Sequence, residues 1–303
     1  MRLRVVTLLM VAAAAATPAC SIKKMALNTV ASTLAEAGTT FTSDEDLELV
    51  GDAIPFALKF YESILDSAPK HKELLLSTCG SFTQYAYGYI ETDAEALPLS
   101  RRAEIQRLRD RALKLYLRAR GYCFRSMDVQ FGHGSSAALL QNPDGVVAQA
   151  KKDDVPLLYW TAASWGAAIA LGIDRPELAV DLPIVRALAD RALALDDAWN
   201  KGALHELFIT LDSLPEALGG NQARARDHFA KAVEIQRGLS PGPYVALATG
   251  VAVPNQDRAE FERLLKQALA IDPEKDPSGR LVTLIGQKRA RVLLDRADES
   301  FSK

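Results

Sequence analysis

Histidine and cysteine are scarce in this chain, four and three among 303 residues, and their scarcity narrows the chemistry available to it. The stretch His205-Glu206-Leu207-Phe208 opens like a zinc-protease helix, but no second histidine follows four residues on, so the metal pair is missing. No Gly-x-Ser-x-Gly elbow, phosphate loop or Cys-x-x-Cys motif occurs. The glycine-containing run FGHGSS (131–136) follows no strand and lacks a lysine, which makes it a turn between helices. Charge of one sign is also lacking. With 36 basic residues against 38 acidic ones, the chain offers no electrostatic footprint for nucleic acid. Sustained apolar–polar alternation is absent, so strands are not expected. These absences together predict a non-enzymatic protein without metal or cofactor.

There is ample material for a core. Hydrophobic residues make up 49% and prolines number only 14, which describes a compact chain of one or two domains rather than a disordered one. The N-terminus reads as an address: Arg2 and Arg4 precede the apolar run VVTLLMVAAAAA (5–16), too short to span a bilayer comfortably, and TPAC follows. Residues 1–19 are expected to be a lipoprotein signal peptide, with Cys20 acylated and each buried CH2 of the lipid contributing about 0.8 kcal/mol of membrane attachment. Ordinary small-residue cleavage near Ala19 is the alternative. Thr17 stands where a branched apolar residue is usual, and Ser21 occupies the place of an inner-membrane retention Asp, which points to the outer membrane. In an exported chain Cys79 and Cys123 can pair as a disulfide, or each can be a small buried hydrophobe.

From about residue 41 to 300 the chain reads as helix, after a lipidated linker or first helix over 20–40. EIQRLRDRALKLYLRA places Ile105, Leu108, Ala112, Leu115 and Tyr116 on one stripe of a 3.6-residue period. Ser43 with Asp46, and Ser100 with Glu104, are the expected helix starts, and Pro55 the expected kink. Stops are expected at Ala68-Pro69, Gly219-Gly220, Ser240-Pro241 and Asp272-Pro273. The helix end Ala268-Leu269-Ala270-Ile271-Asp272 is echoed at Ala192, Ala232 and more loosely Ala112. Spacings near 34 to 40 residues are those of tetratricopeptide (TPR) helix pairs, which stack into an α-solenoid with a concave binding surface. An irregular helical bundle is the competing all-α arrangement.

Aromatic residues supply the binding candidates. LLYWTAASW (157–165) holds Tyr159, Trp160 and Trp165, with Trp165 assigned to the core and the other two to either core or groove. Tyr85 and Tyr89 share a second face. Near the end, Arg280, Leu284, Gln287 and Arg291 form a stripe that is either solvated or part of a groove. A ligand held in such a groove would stack on Tyr159 and Trp160 and take its polar contacts from His205, Glu206 and Gln287.

TSDEDLELVGDAIPFALKFYESILDSAPKHKELLL, LLYWTAASWGAAIAL, GALHELFI, HFAKAVEI and RLVTLIGQKRARVLL occur in order over roughly residues 36 to 297. Together they resemble the TatT family, the TPR-containing lipoprotein component associated with some tripartite ATP-independent periplasmic (TRAP) transporters. The resemblance implies an all-helical, periplasm-facing lipoprotein that forms a homotrimer, docks with the solute-binding P component and presents a hydrophobic ligand through an internal pore or groove. A generic TPR adaptor in envelope assembly is the alternative function. A helical hydrolase acting through His205 or Glu206 is a third.

Overall fold

A computed structural model of the chain describes residues 29–33, 38–173 and 175–301, and every regular element among them is helical. Cys20, the expected leader and residues 20–28 of the expected linker lie outside the described residues. Among the described residues no helix is long and apolar enough to cross a membrane.

Helix α1 spans Leu47–Ser67. Its cap is Asp46 rather than Ser43: Asp46 Oδ1 accepts from the Glu48 and Leu49 amides at 3.0 and 2.9 Å, while Asp44 takes the amide of Asp46 itself. A carboxylate satisfies two orphan amides at the positive end of a helix better than a hydroxyl one turn earlier. The helix runs through Pro55 without ending. Helix α2 (Lys72–Tyr85) is capped by His71, whose Nδ1 accepts the Leu74 amide. It continues through a π segment, Ala86–Glu91, into one more α turn, Thr92–Ala96.

Helix α3 (Arg102–Gln130) also departs from expectation at its start. It grows out of a 3-10 turn, Leu99–Arg101, behind extended Pro98, with no side-chain cap from Ser100. Its fully buried residues include Ala112, Tyr116, Ala119, Cys123 and Met127 at intervals of four and three, while Ile105, Leu108 and Leu115 of the expected stripe are half-buried. The turn expected at 131–136 occupies 131–134, with Gly132 and Gly134 both at positive φ, and Ser135 already opens the short helix Ser135–Leu139. Then come α4 (Val155–Leu171), α5 (Leu182–Leu195), α6 (Trp199–Asp212) and α7 (Gln222–Ile235). Helix α8 (Gly242–Leu247) again continues as a π segment, Ala248–Ala252, before α9 (Arg258–Leu269) and α10 (Arg280–Asp295).

Each helix from α1 to α10 packs on its neighbour in sequence, and α2 reaches α4 as α6 reaches α8. That pattern is a solenoid of helix pairs. The alanines of the recurring helix end, Ala112, Ala192, Ala232 and Ala268, are fully buried, as is Ala225, because a methyl group lets facing helices approach closely. One apolar core runs from α1 to α6 around Tyr116, Trp165 and Leu188, and a second from α6 to α10 around Phe261 and Leu265. Helix α6 serves both, with Leu204 and Phe208 in the first and Ile209 in the second. Trp165 lies wholly in the core, edge-on to Phe124, as expected of it. Cys79 of α2 and Cys123 of α3 stand 5.5 Å apart at Cα with their sulfurs bonded.

The solenoid returns on itself. Helix α10 packs against α1 and against the end of α2. There Lys288 pairs with Asp93, Arg289 with Glu95, and Arg296 donates to the backbone carbonyls of Glu95 and Leu97. Arg280 reaches back to the carbonyl of Ser43. A stack of helices closed in this way encloses an interior.

Candidate chamber inside the helical ring

Tyr87 marks that interior. It belongs to the π segment of α2, and its hydroxyl interacts with Glu91, Glu95, Glu206 and Arg289, which arrive from the end of α2, from α6 and from α10. Protein surrounds it on all these sides, and yet 41% of its surface is accessible. A side chain enclosed by several helices and still open to solvent lines an internal space. Burial raises its hydroxyl pKa above the usual tyrosine value.

The opposite wall comes from α4. Tyr159 meets Trp160 edge to face at 4.9 Å between ring centroids and tilts against Trp199 at 4.8 Å. Trp160 lies over Gly80 of α2, where a Cβ would come within 3.0 Å of the indole and force the ring to shift by a few tenths of an ångström. Tyr159, Trp160 and Trp199 all keep partial exposure. Tyr159 and Trp160, expected in either core or groove, both pack against aromatic neighbours and both are half-buried. Trp199 stands beside a left-handed turn, Asn200, Lys201 and Gly202 at φ of 46°, 58° and 77°, which two non-glycine residues adopt at some steric cost. Lys201 is anchored there by Asp276 and Ser278.

Glu206 enters from α6. Its carboxyl lies over Gly242, where a Cβ would stand 2.1 Å from Oε1, so a larger residue there would push the carboxyl aside. Burial pushes its pKa up to about 7; the Gln236 amide and, more weakly, Arg289 pull it the other way. Burial likewise raises Tyr159, with a further push from Glu206 and Tyr87, which places the three groups within electrostatic reach of one another. Among the described residues Gln236 Oε1 is buried and has no hydrogen-bond partner.

The floor is fully engaged. Arg289 donates from Nε and Nη2 to the two oxygens of Glu95 at 2.7 and 2.6 Å, and from Nη1 to the Tyr87 hydroxyl at 2.5 Å. The Tyr116 hydroxyl, buried below, donates to Glu91, whose pKa burial raises.

Two expected contact residues stand elsewhere. His205 points toward α7, where its Nδ1 meets His228 Nδ1 at 2.8 Å and the second ring stacks on Phe208. One histidine must donate and the other accept, and burial lowers the pKa of both. Next to them Asp212, 1% exposed, is held by Arg186 and Arg224. Adjacent residues on a helix diverge by about 100°, and here His205 turns to His228 while Glu206 turns to Gly242. Gln287 caps α9: its Nε2 donates to the carbonyls of Leu269 and Ile271 at 3.2 and 2.6 Å. Conversely, Tyr87, Trp199, Gln236 and Arg289 line or close the chamber without any motif that announces them. Among the described residues no cluster of three or more metal-ligating side chains occurs.

A family model described as TRAP transporter T-component matches residues 43–301, most of the chain. The chain is also similar to an uncharacterized protein of Treponema pallidum (strain Nichols), 28% identical over 300 residues that cover 93% of each chain.

Proposed function

Since the chain belongs to the TRAP transporter T-component family, we propose that it is the periplasm-facing accessory of such a transporter, a helical scaffold of TPR type that binds the solute-binding P protein. In this reading residues 1–19 direct export, and Cys20 carries the lipid that holds the domain on the outer membrane. The scaffold assembles as a homotrimer. Its chamber holds a hydrophobic or amphipathic small molecule against Tyr159 and Trp160, with Glu206 as a directing polar group.

One observation carries the ligand part of this reading: aromatic rings inside a closed helical ring keep accessible surface that packing alone would have removed. The role is read as non-enzymatic, in keeping with a transporter-accessory family. A pull-down of the tagged, lipidated protein from its own envelope, with mass spectrometry of proteins and extracted small molecules, tests the whole. Recovery of a solute-binding protein supports the transporter role. Recovery of envelope-assembly proteins alone replaces it with a general adaptor.

A further inference from the structure

Two outer faces of the ring carry opposite charge. On α3 seven arginines and Lys114 stand against only Glu104, Asp110 and Asp128. Arg107, Arg111 and Lys114 fall four and three residues apart on its exposed side. Their ties within the chain are slight: Arg107 comes no nearer than 3.9 Å to Glu104, which Arg101 already holds, and Arg111 leans on the ring and hydroxyl of Tyr85. Asp110 beside them pairs with Arg175, and no carboxylate among the described residues lies within ion-pair distance of Lys114. Further along the same line Arg118 is bound to Glu62, and at Gly121 a Cβ would meet nothing within 4 Å.

The other face is the outside of α1 and the turn before it. Glu45, Glu48 and Asp52, three and four residues apart, are exposed, and among the described residues no cation pairs with their carboxylates. Beyond them Leu49, Phe56 and Phe60 are also exposed, Phe56 by 74%, and the two phenylalanine rings stack at 6.1 Å. Apolar rings set out in water beside unpaired acids describe a surface that another protein covers. Within one chain α1 and α3 meet through Glu62 and Arg118, and no ion pair joins their outer stripes.

We propose that α1 of one copy docks along α3 of a second copy of this chain, Glu45, Glu48 and Asp52 pairing with Arg107, Arg111 and Lys114 while Phe56 and Phe60 are covered toward Gly121. Both stripes repeat at three and four residues, so the charges match in spacing as well as in sign. Arginine suits such a contact because its planar fork takes a carboxylate with two hydrogen bonds. An anionic lipid surface would be repelled by the acids of α1. Because the two faces differ, the contact can pass from copy to copy, as a closed ring requires. The inference rests on the homo-oligomer in the proposed function and names the faces through which its copies meet.

Two charge-reversed variants test it, Arg107→Glu/Arg111→Glu/Lys114→Glu and Glu45→Lys/Glu48→Lys/Asp52→Lys, each made in the full chain. Molar mass in detergent is measured by light scattering against concentration, and unfolding midpoints report that both variants are folded. Each variant alone is expected to associate at least about tenfold more weakly than the unaltered chain. Mixed in equal amounts, the two are expected to associate with each other, because every α1 then faces an α3 of opposite sign. Variants that self-associate as before, or a mixture that stays monomeric, overturn the α1–α3 contact and leave the homo-oligomer standing. Unchanged mass with loss of the solute-binding protein from the pull-down overturns it in favour of that partner. A monomeric unaltered chain overturns the homo-oligomer and the contact with it.

Discussion

Arg289 grips Glu95 with two parallel hydrogen bonds, 2.7 and 2.6 Å long, across 194 residues of sequence. The pair joins the last long helix to the end of the second, so the interior of the ring is bounded by a single fork-on-carboxylate contact and the lesser pairs beside it. Their side chains are 17% and 24% exposed, which places the contact nearer to a buried ion pair than to a surface one.

Arg289→Ala should therefore cost about 3 kcal/mol in denaturant unfolding, since it leaves Glu95 desolvated and Tyr87 without its donor. Hydrogen exchange should quicken first over residues 280–295. A loss spread evenly over the chain would show that α10 is held by its apolar contacts instead.

The pH dependence has two opposed parts. Glu206, near 7 when folded, titrates at its ordinary 4.5 when unfolded. Between these values the folded chain keeps a proton that the unfolded chain has released, so stability falls as pH rises from about 4.5 to about 7 and is level above. Arg289, Gln236, Tyr87 and Tyr159 face it, and none carries a compensating titration in that range. Glu206→Gln should abolish the slope and stabilise the protein at pH 8 by an amount on the order of 3 kcal/mol. An unchanged slope in the variant would assign the titration to another group.

His205 and His228 act in the other direction. Burial holds both below 6.5, with Asp212, Asp227 and Asp190 opposing the shift at His228 and Asp197 at His205. Here the unfolded chain binds more protons, so stability is lost as pH falls below about 6.5. In the Glu206→Gln background this acid-side loss should stand alone, and imidazole NMR titrations should give midpoints under 6.5 for both rings. A midpoint above 6.5 for either would contradict it.

Reduction of Cys79–Cys123, which are 44 residues apart, should lower unfolding free energy by about 3 to 4 kcal/mol on loop-closure grounds. Alkylation after unfolding without reductant should leave both thiols unlabelled. Labelling of either would show them reduced.

Gln287→Leu removes the donor that serves the last carbonyls of α9. It should cost about 1 to 2 kcal/mol and leave the yield of small molecule extracted from the purified protein unaltered. A lower yield at unchanged stability would return Gln287 to the ligand site.

Helix ends and the small residues between helices were legible because both are local: an Asp-Pro stop and an alanine one turn before it are visible within ten residues. Even there, Asp46 displaced Ser43, since the nearer carboxylate caps more amides. The chamber could be read only in part. Tyr159, Trp160 and Glu206 drew notice by clustering or by motif, whereas Arg289 and Trp199 are ordinary surface-looking residues until the ring closes around them. Gln287 misled for a related reason: a polar residue on an apolar helix signals a tertiary demand, and the demand here was the open end of α9. Tyr87 stands two residues from both Tyr85 and Tyr89, whose rings lie 5.8 Å apart, so helical spacing alone puts it on the opposite face from that visible pair.

That π segment has a genealogical side. Its hydrogen bonds span one residue more than those of an α-helix, and the Thr92 hydroxyl satisfies the Tyr87 carbonyl, as befits a helix that has absorbed an insertion. Deleting one residue between 86 and 91 should return the segment to plain α-helix and leave the flanking turns near their present register, so that Glu95 still meets Arg289. A relative with a one-residue gap there can keep the glutamate–arginine clasp, and closure of the ring belongs to the pair itself rather than to the bulge.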